Sequence, residues 1–260
     1  MEKFKEYLNL EGYSNNSYHY LIGAFLREIG NEEISEDLIK SFILEKKKTA
    51  SVETVNGFIK ALRVYLKFLN KDIQVPKIMR PIEKLPDSIG IDFFEKEVIR
   101  VVDCIFIEPQ KIKAVLYFLF YTGVRAPSEI VNIQRKDINL KDRVAKIFEQ
   151  KKQKERLIVF PEKLAKMLNA YFTFEPEESN AFNISKSKIN YIFNTLKPHF
   201  PNIRMRPRLF RHSFATHCLK QGMDISVVSK FLGHTNIQST LRYLGTNDVL
   251  LKELYDKYIH

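Results

Sequence analysis

Three prolines at intervals of five residues divide this chain more sharply than any other feature of its sequence: Pro76, Pro81 and Pro86. Proline fixes φ and has no N–H to donate, so neither a helix nor a central strand continues through this segment. Three cations stand among the prolines: Lys77, Arg80 and Lys84. We therefore predict a basic, extended linker over residues 76–90, joining one domain in residues 1–75 to a second in residues 91–260.

The composition is that of a globular protein. Of the 260 residues 45% are hydrophobic, and only 9 are glycine and 10 proline, which excludes collagen-like and low-complexity chains. The longest apolar run, Ala114–Tyr121, is far shorter than the roughly 20 residues that span a bilayer. Cys104 and Cys218 form neither a metal-binding spacing nor a disulfide framework, and no export signal opens the chain. These features predict a cytoplasmic protein.

Positive charge is concentrated in the second part of the chain. The formal net charge is +11, yet residues 1–75 hold 11 basic and 11 acidic side chains, so the surplus lies after them. Between Glu178 and Asp224 there is no acidic residue but there are eight cations: Lys186, Lys188, Lys197, Arg204, Arg206, Arg208, Arg211 and Lys220. Such a stretch suits a polyanion, most simply a nucleic-acid backbone, although a solvated surface would show the same pattern.

Apolar periodicity predicts a mostly α fold with one small β-hairpin. In the first 75 residues, helical periodicity follows Ser14, Ser35 and Ser51, three residues suited to capping a helix, and residues 2–10 add a fourth helix. In the second part we expect helices over residues 92–104, 109–121, 161–172, 185–196, 209–220 and 225–232. Val144–Phe148 and Leu157–Phe160 alternate as two strands around a lysine-rich turn.

Four places in the second part hold polar side chains that could perform chemistry. They are Arg125 after the most apolar helix, the hairpin lysines Lys151, Lys152 and Lys154, the pair Arg208 and Arg211 at a helix start, and His234 with Tyr243 nine residues later. Residues three apart share one face of a helix, so both arginines of the pair are expected together. Each group also has an ordinary explanation: a surface ion pair, a solvated turn or a core tyrosine. We expect His212 and His217 to be structural.

Together these groups resemble one family. The runs TGVRAPSEIVNI, QKKQKERLIVFP, RLFRHSFATHCLKQG and LGHTNIQSTLRYL look like the successive motif boxes of the tyrosine recombinases, the phage-integrase and Xer superfamily. The resemblance covers residues 90–245 and includes the nine-residue step to the tyrosine. The opening helices resemble the family's core-binding domain more weakly. The resemblance implies two domains, a helical DNA-binding domain followed by a catalytic domain.

The resemblance also implies a role for each motif position. Arg125 and Arg211 look like the two catalytic arginines, Lys151 like the hairpin lysine, His234 like the box histidine and Tyr243 like the nucleophile. Two arginines can neutralise the extra charge of a phosphorane through forked hydrogen bonds. A lysine can protonate the leaving 5′ oxygen. Because a 3′-phosphotyrosine keeps the bond energy, no metal, no cofactor and no ATP is implied.

The sequence departs from the family pattern around both arginines. Arg208 stands where the family usually has histidine, three residues before Arg211, and an arginine stays protonated near neutral pH. His234 or water is then the expected acceptor of the nucleophile's proton. The step from Arg125 to Glu129 is one residue longer than usual, which places Glu129 differently.

The hairpin box is the third departure. The family has glycines on both sides of its lysine, and this chain has Gln150 and Lys152 there. Lys151 is therefore our choice for the leaving-group acid, with Lys152 and Lys154 as the alternatives.

We expect a site-specific DNA recombinase that works through a covalent 3′-phosphotyrosine, in dimer resolution or in mobile-element integration and excision. Its expected partners are double-stranded DNA with a specific recombination site and further copies of itself in a synaptic tetramer, with no membrane, at a cytoplasmic and nucleoid-associated location. Further DNA contacts are expected from Lys186, Lys188, Arg204 and Arg206. The alternatives are a type IB topoisomerase-like enzyme and a catalytically inactive DNA-binding module.

The segment after the nucleophile carries its own helical pattern. Apolar residues recur at four-residue steps in two rows: Leu250, Leu254 and Tyr258, and Leu251, Tyr255 and Ile259. The pattern predicts a tail helix with a wide apolar face. That face packs either on its own catalytic domain or, as the resemblance favours, on a neighbouring subunit.

Overall fold

Most of the chain is helical, with one small antiparallel sheet. The computed structural model describes residues 1–13, 17–79, 87–149, 153–173, 179–241 and 243. Ser14, Lys151, Lys152, linker residues 80–86 and the predicted tail helix lie outside these ranges. The Cα positions group into two compact units, Met1–Ile82 and Glu83–His260. No helix in the described ranges is both long enough and apolar enough to cross a bilayer.

The first unit contains the four predicted helices. They are α1 (Glu2–Leu10), α2 (Ser17–Ile29), α3 (Glu36–Thr49) and α4 (Val52–Phe68). Two predicted caps are confirmed, because Ser35 Oγ accepts from the Leu38 N–H at 3.2 Å and Ser51 Oγ accepts from the Thr54 N–H at 3.3 Å. Each serine satisfies a backbone donor that the first helical turn leaves unpaired. The buried faces of the helices then meet in one core, whose aromatic members are Phe4, Phe25, Phe42 and Phe58.

One side chain fixes the chain where it leaves this unit. Asn56, on α4, donates to the Met79 carbonyl at 2.7 Å and accepts from the Met79 N–H at 2.8 Å. An amide that uses both ends on one backbone residue holds that residue in one orientation. Met79 lies inside the predicted linker, so the first residues of that linker are anchored on α4.

The second unit carries the remaining helices. They are α5 (Ile91–Phe93), α6 (Ile99–Ile105), α7 (Pro109–Thr122), α8 (Glu162–Phe172), α9 (Lys186–Leu196), α10 (Pro207–Lys220), α11 (Ile225–Leu232) and α12 (Gln238–Leu241). A π-helical turn, Phe94–Val98, joins α5 to α6. The predicted start of this helix at Asp92 as its N-cap is wrong, because Gly90 is the N-cap and Asp92 lies in the first turn.

The sheet has three strands rather than the predicted two. β1 (Ile138–Asn139), β2 (Val144–Glu149) and β3 (Lys154–Val159) pair antiparallel in the order β1-β2-β3. The hairpin prediction is confirmed, and its register sets Glu149 opposite Lys154. A strand of two residues has no periodicity to detect, so β1 left no signal in the sequence.

Helix α7 lies in the core of the second unit, as its all-round apolar surface predicts. It packs against α8 and α10, and residues such as Ala114, Leu116 and Phe118 are completely buried. The helix ends at Gly123, whose φ of 63° is left-handed. A Cβ at this position would lie 2.4 Å from Phe214 Cδ1. Glycine is therefore required both for the backbone turn and for the close approach to α10.

Candidate active site

Arg125 follows the glycine turn at the end of α7 and is held by three parts of the second unit. Its N–H and its Nη1 donate to the Glu129 carboxylate at 2.7 and 2.6 Å. Nη1 also lies 3.4 Å from Glu149 Oε2, at the end of β2, and Nη2 donates to the Gly233 carbonyl at 3.0 Å. The side chain keeps 34% of its surface exposed. Arg125 is thus both fixed in position and open to a ligand.

Arg211 projects from α10 into the same region. Its Nη1 donates to the Gly123 carbonyl at 2.7 Å and its Nη2 to the Leu232 carbonyl at 2.6 Å. Burial, and then the charge of Arg125, lower the pKa of Arg211 to about 9. The guanidinium therefore stays protonated at neutral pH.

One turn of backbone brings the two arginines together. Arg211 binds the Leu232 carbonyl and Arg125 binds the next one, at Gly233. Gly233 has a φ of 64°, and a Cβ there would lie 2.1 Å from Glu149 Oε1. Only glycine allows the turn, the sheet and both guanidiniums to meet here.

His234 comes directly after this turn. Its Nδ1 lies 2.7 Å from the hydroxyl of Thr240, a completely buried residue at the end of the following helix. The contact orients the imidazole ring, because a histidine bonded through one nitrogen has only its other nitrogen for further chemistry. Arg125, Arg211 and His234 therefore converge on one turn.

Tyr243 lies in a small apolar cluster beside this turn. The cluster contains Phe214, Ala215, Cys218, Leu219, Val228 and Leu232. The tyrosine is 4% exposed, and its hydroxyl lies 2.8 Å from Nδ1 of His212. His212 follows Arg211 on α10 and is itself buried. We expected His212 to be structural and did not pair it with the candidate nucleophile, whereas the structure brings the two side chains into contact.

Two buried carboxylates lie behind Arg125. Glu129 and Glu149 are 5% and 8% exposed, and both contact Arg156 on β3. Burial alone would raise the pKa of Glu129, but the hydrogen bond and charge of Arg156, together with bonds from Arg125, outweigh it. The pKa of Glu129 therefore lies below its ordinary value. The longer step from Arg125 to Glu129 still brings this carboxylate to the arginine.

The structure separates the arginine pair that the sequence placed on one face. Arg208 is exposed, whereas Arg211, one turn later, is 8% exposed. The four expected DNA-binding residues are also exposed: Lys186, Lys188, Arg204 and Arg206. Arg204 and Arg206 lie on either side of the fully buried Met205, which directs both of them outward.

Of the three hairpin lysines, only Lys154 lies in the described part of the chain. It is the first residue of β3 and is exposed. Lys151, our choice for the leaving-group acid, and Lys152 both lie outside that part. In the same described ranges, no group of His, Cys, Asp and Glu side chains is arranged to hold a metal ion.

Three site residues were not assigned a part in the chemistry from the sequence: Glu149, Arg156 and His212. Arg156 and His212 do carry a signal, because each stands inside a quoted motif box, in KER and in RHS. Glu149 carries none beyond its position directly after a predicted strand.

Solved structures share this fold. A crystal structure of XerA recombinase matches with a TM-score of 0.57 and 25% identity, covering 100% of this chain and 98% of that one. The Tn1549 transposon integrase in complex with transposon right end DNA matches with a TM-score of 0.74, covering 98% and 97%. Its 14% identity supports a likeness of fold alone.

Sequence comparison identifies the class of protein to which the chain belongs. The tyrosine recombinase XerA of Pyrococcus furiosus is 28% identical over 269 residues, which cover 99% of this chain and 93% of the relative. The model of the phage integrase family matches residues 93–249. The chain belongs to the phage integrase family. The predicted class, a tyrosine-type site-specific DNA recombinase, is confirmed, and neither alternative is favoured.

Proposed function

We propose that residues 91–260 exchange DNA strands with Tyr243 as the nucleophile, and that residues 1–75 bind the same DNA as a core-binding domain. The linker, residues 76–90, joins the two. One observation carries the catalytic assignment: Arg125 and Arg211 bind consecutive carbonyls of the turn that leads into His234. Two cations and an imidazole at one turn can together bind a phosphodiester.

The two arginines neutralise the phosphate in this proposal. A guanidinium has five N–H donors, and Arg211 uses two of them on carbonyls. The remaining donors can bind the non-bridging oxygens, whose negative charge grows in the phosphorane. Donors already fixed by the backbone need no reorganisation when that charge appears.

Strand cleavage then proceeds by substitution at phosphorus. The Tyr243 oxygen forms a bond to phosphorus, the bond to the 5′ oxygen breaks, and a lysine gives that oxygen a proton. Lys151 remains our choice for this lysine, with Lys152 and Lys154 as the alternatives. Attack of another strand's 5′ hydroxyl on the 3′-phosphotyrosine reverses the step and releases Tyr243.

Tyr243 has to move before it can react, because a phosphate cannot reach a hydroxyl in a side chain that is 4% exposed. This movement breaks its hydrogen bond to His212. His234 or water remains the proposed acceptor of the tyrosine proton.

Further DNA contacts come from five of the exposed cations between Glu178 and Asp224, namely Lys186, Lys188, Arg204, Arg206 and Arg208. Because each phosphate contact releases counterions, DNA affinity falls steeply between about 50 and 200 mM salt.

Four copies on two sites form the synaptic complex, with exchange of the tail between neighbours. Strand exchange takes place in the cytoplasm on nucleoid DNA, and it serves either dimer resolution or the integration and excision of a mobile element.

A supercoiled plasmid tests this proposal. The recombination site is first recovered from random duplexes by repeated binding and footprinting, and two copies are then placed on one plasmid. We expect recombinant products that depend on both copies. Relaxation without recombination would indicate topoisomerase-like chemistry, and a mobility shift without cleavage would indicate a binding module.

A further inference from the structure

Arg156 is buried next to the candidate phosphate site, where it contacts two carboxylates and one backbone carbonyl. Its Nη1 and Nη2 donate to the two oxygens of Glu129 at 3.0 and 2.7 Å. Nη1 lies 3.1 Å from Glu149 Oε1, and Nε donates to the Phe231 carbonyl at 2.9 Å. The side chain is 8% exposed. With its donors directed at these protein groups and its surface covered, Arg156 is not placed to bind a phosphate.

The same two carboxylates also face Arg125. Glu129 Oε1 is 2.6 Å from Arg125 Nη1, and Glu149 Oε2 is 3.4 Å from it. Arg125, Arg156 and Arg211 supply three positive charges, and Glu129 and Glu149 supply two negative ones. The sum is +1. Without Arg156 the sum over these described side chains would be zero.

We propose that Arg156 is a positioning residue that acts through charge. It binds Glu129 and Glu149 so that Arg125 keeps a net positive field for the scissile phosphate. The role toward the scissile phosphate rests on the proposed function. The affinity of the site for an anion can be measured independently of that function. Buried charges are weakly screened, so one unit of charge matters here more than at the surface.

Two substitutions that each remove one charge distinguish this role from simple packing. Glu149→Gln and Arg156→Gln both break the same ion pair, so a purely structural role predicts that both weaken the site. The charge role predicts opposite signs, because Glu149→Gln raises the local charge to +2 and Arg156→Gln lowers it to zero. The double variant returns the charge to +1.

Inorganic phosphate is the first probe, titrated calorimetrically into the full chain at pH 7.5. We expect Glu149→Gln to tighten binding about tenfold and Arg156→Gln to weaken it about tenfold, as for one unit charge in a water-poor site. The double variant should lie within roughly threefold of wild type. Arg125→Gln defines the component of binding that belongs to the site, and the exposed Arg100→Gln controls for loss of an arginine elsewhere.

Breaking a buried ion pair can unfold a protein, so thermal unfolding is measured for every variant. If Arg156→Gln does not fold, Glu149→Gln decides alone, because tighter phosphate binding supports the charge role and weaker binding overturns it. Equal weakening by both single variants also overturns it.

The second probe is the duplex recovered by binding selection, with either an ordinary or a methylphosphonate linkage at the scissile position. A methylphosphonate lacks one negative charge, so the cleavage defect of Arg156→Gln should shrink at least tenfold on it. An equal defect on both linkages would show that Arg156 acts only by holding the fold. If the wild type cleaves neither duplex, the proposed function fails, while the phosphate titration still decides the role of Arg156.

Discussion

The hydroxyl of Tyr243 and Nδ1 of His212 lie 2.8 Å apart, and the rings are 5.3 Å apart between centroids. Both side chains are buried, at 4% and 5% exposure. The candidate nucleophile is thus stored against α10, beside Arg211 rather than in the open part of the site. This one hydrogen bond therefore stabilises the folded protein and also holds the hydroxyl that is proposed to react.

A double-mutant cycle measures the contact. Tyr243→Phe removes the hydroxyl and His212→Leu removes the imidazole, and we expect a coupling free energy of about 1 kcal/mol in urea unfolding. The hydrogen bond is buried, so water does not replace it in either single variant. A coupling indistinguishable from zero would show that the two groups do not interact in solution.

The arginines should matter for cleavage more than for binding. Arg125→Ala and Arg211→Ala should each slow formation of the covalent adduct by at least ~10²-fold, the usual cost of removing a preorganised transition-state donor. Arg208→Ala is the matched variant on α10, and as an exposed residue it should mainly reduce DNA affinity at low salt. Single-turnover rates and gel-shift titrations measure the two effects. A larger rate loss for Arg208→Ala would mean that burial misidentifies the catalytic arginine.

The hairpin lysine is identified by changing the leaving group. Sulfur departs without a proton, so a substrate with a 5′-thiol leaving group should restore cleavage to Lys151→Ala. Lys152→Ala and Lys154→Ala should show no such rescue, since neither is expected to be the proton donor. Rescue of Lys154→Ala instead would identify Lys154, the first residue of β3, as the proton donor.

Acid should destabilise the site through Glu129. Its pKa in the folded protein is below the ordinary value of 4.5. Its stabilising effect is therefore complete above about pH 4.5 and is lost as the pH falls through the folded pKa. Glu129→Gln should have a flatter loss of unfolding free energy below pH 4.5 than wild type, whereas Glu155→Gln, at an exposed position on β3, should follow the wild type. Identical acid profiles for wild type and Glu129→Gln would contradict the pairing with Arg156.

Local chemistry made much of the fold predictable. Ser35 and Ser51 cap helices that their following residues identify by periodicity, and Pro109 occupies the first turn of α7, where its missing N–H costs nothing. The resemblance of the motif boxes to the tyrosine recombinases likewise implied which residues act together. These features depend on neighbours along the chain, which a sequence displays directly.

The remaining features depend on contacts between distant segments. Arg208 and Arg211 share a helical spacing, but only packing against the Gly123 and Leu232 carbonyls buries one and leaves the other exposed. The pairing of His212 with a tyrosine 31 positions away has no local signature. Such contacts are set by the packing of α10 against its neighbours, which periodicity does not specify.

The central claim is that Tyr243 forms the covalent bond to DNA. The direct measurement is a denaturing gel of the protein with a nicked duplex carrying the recovered site, from which the short 5′-hydroxyl fragment is lost after cleavage. Wild type and the exposed Tyr20→Phe control should give a slow-migrating adduct, and mass spectrometry should locate the nucleotide on Tyr243. Tyr243→Phe should bind the duplex with wild-type affinity and give no adduct, since only the attacking hydroxyl is missing. An adduct formed by Tyr243→Phe would contradict the account.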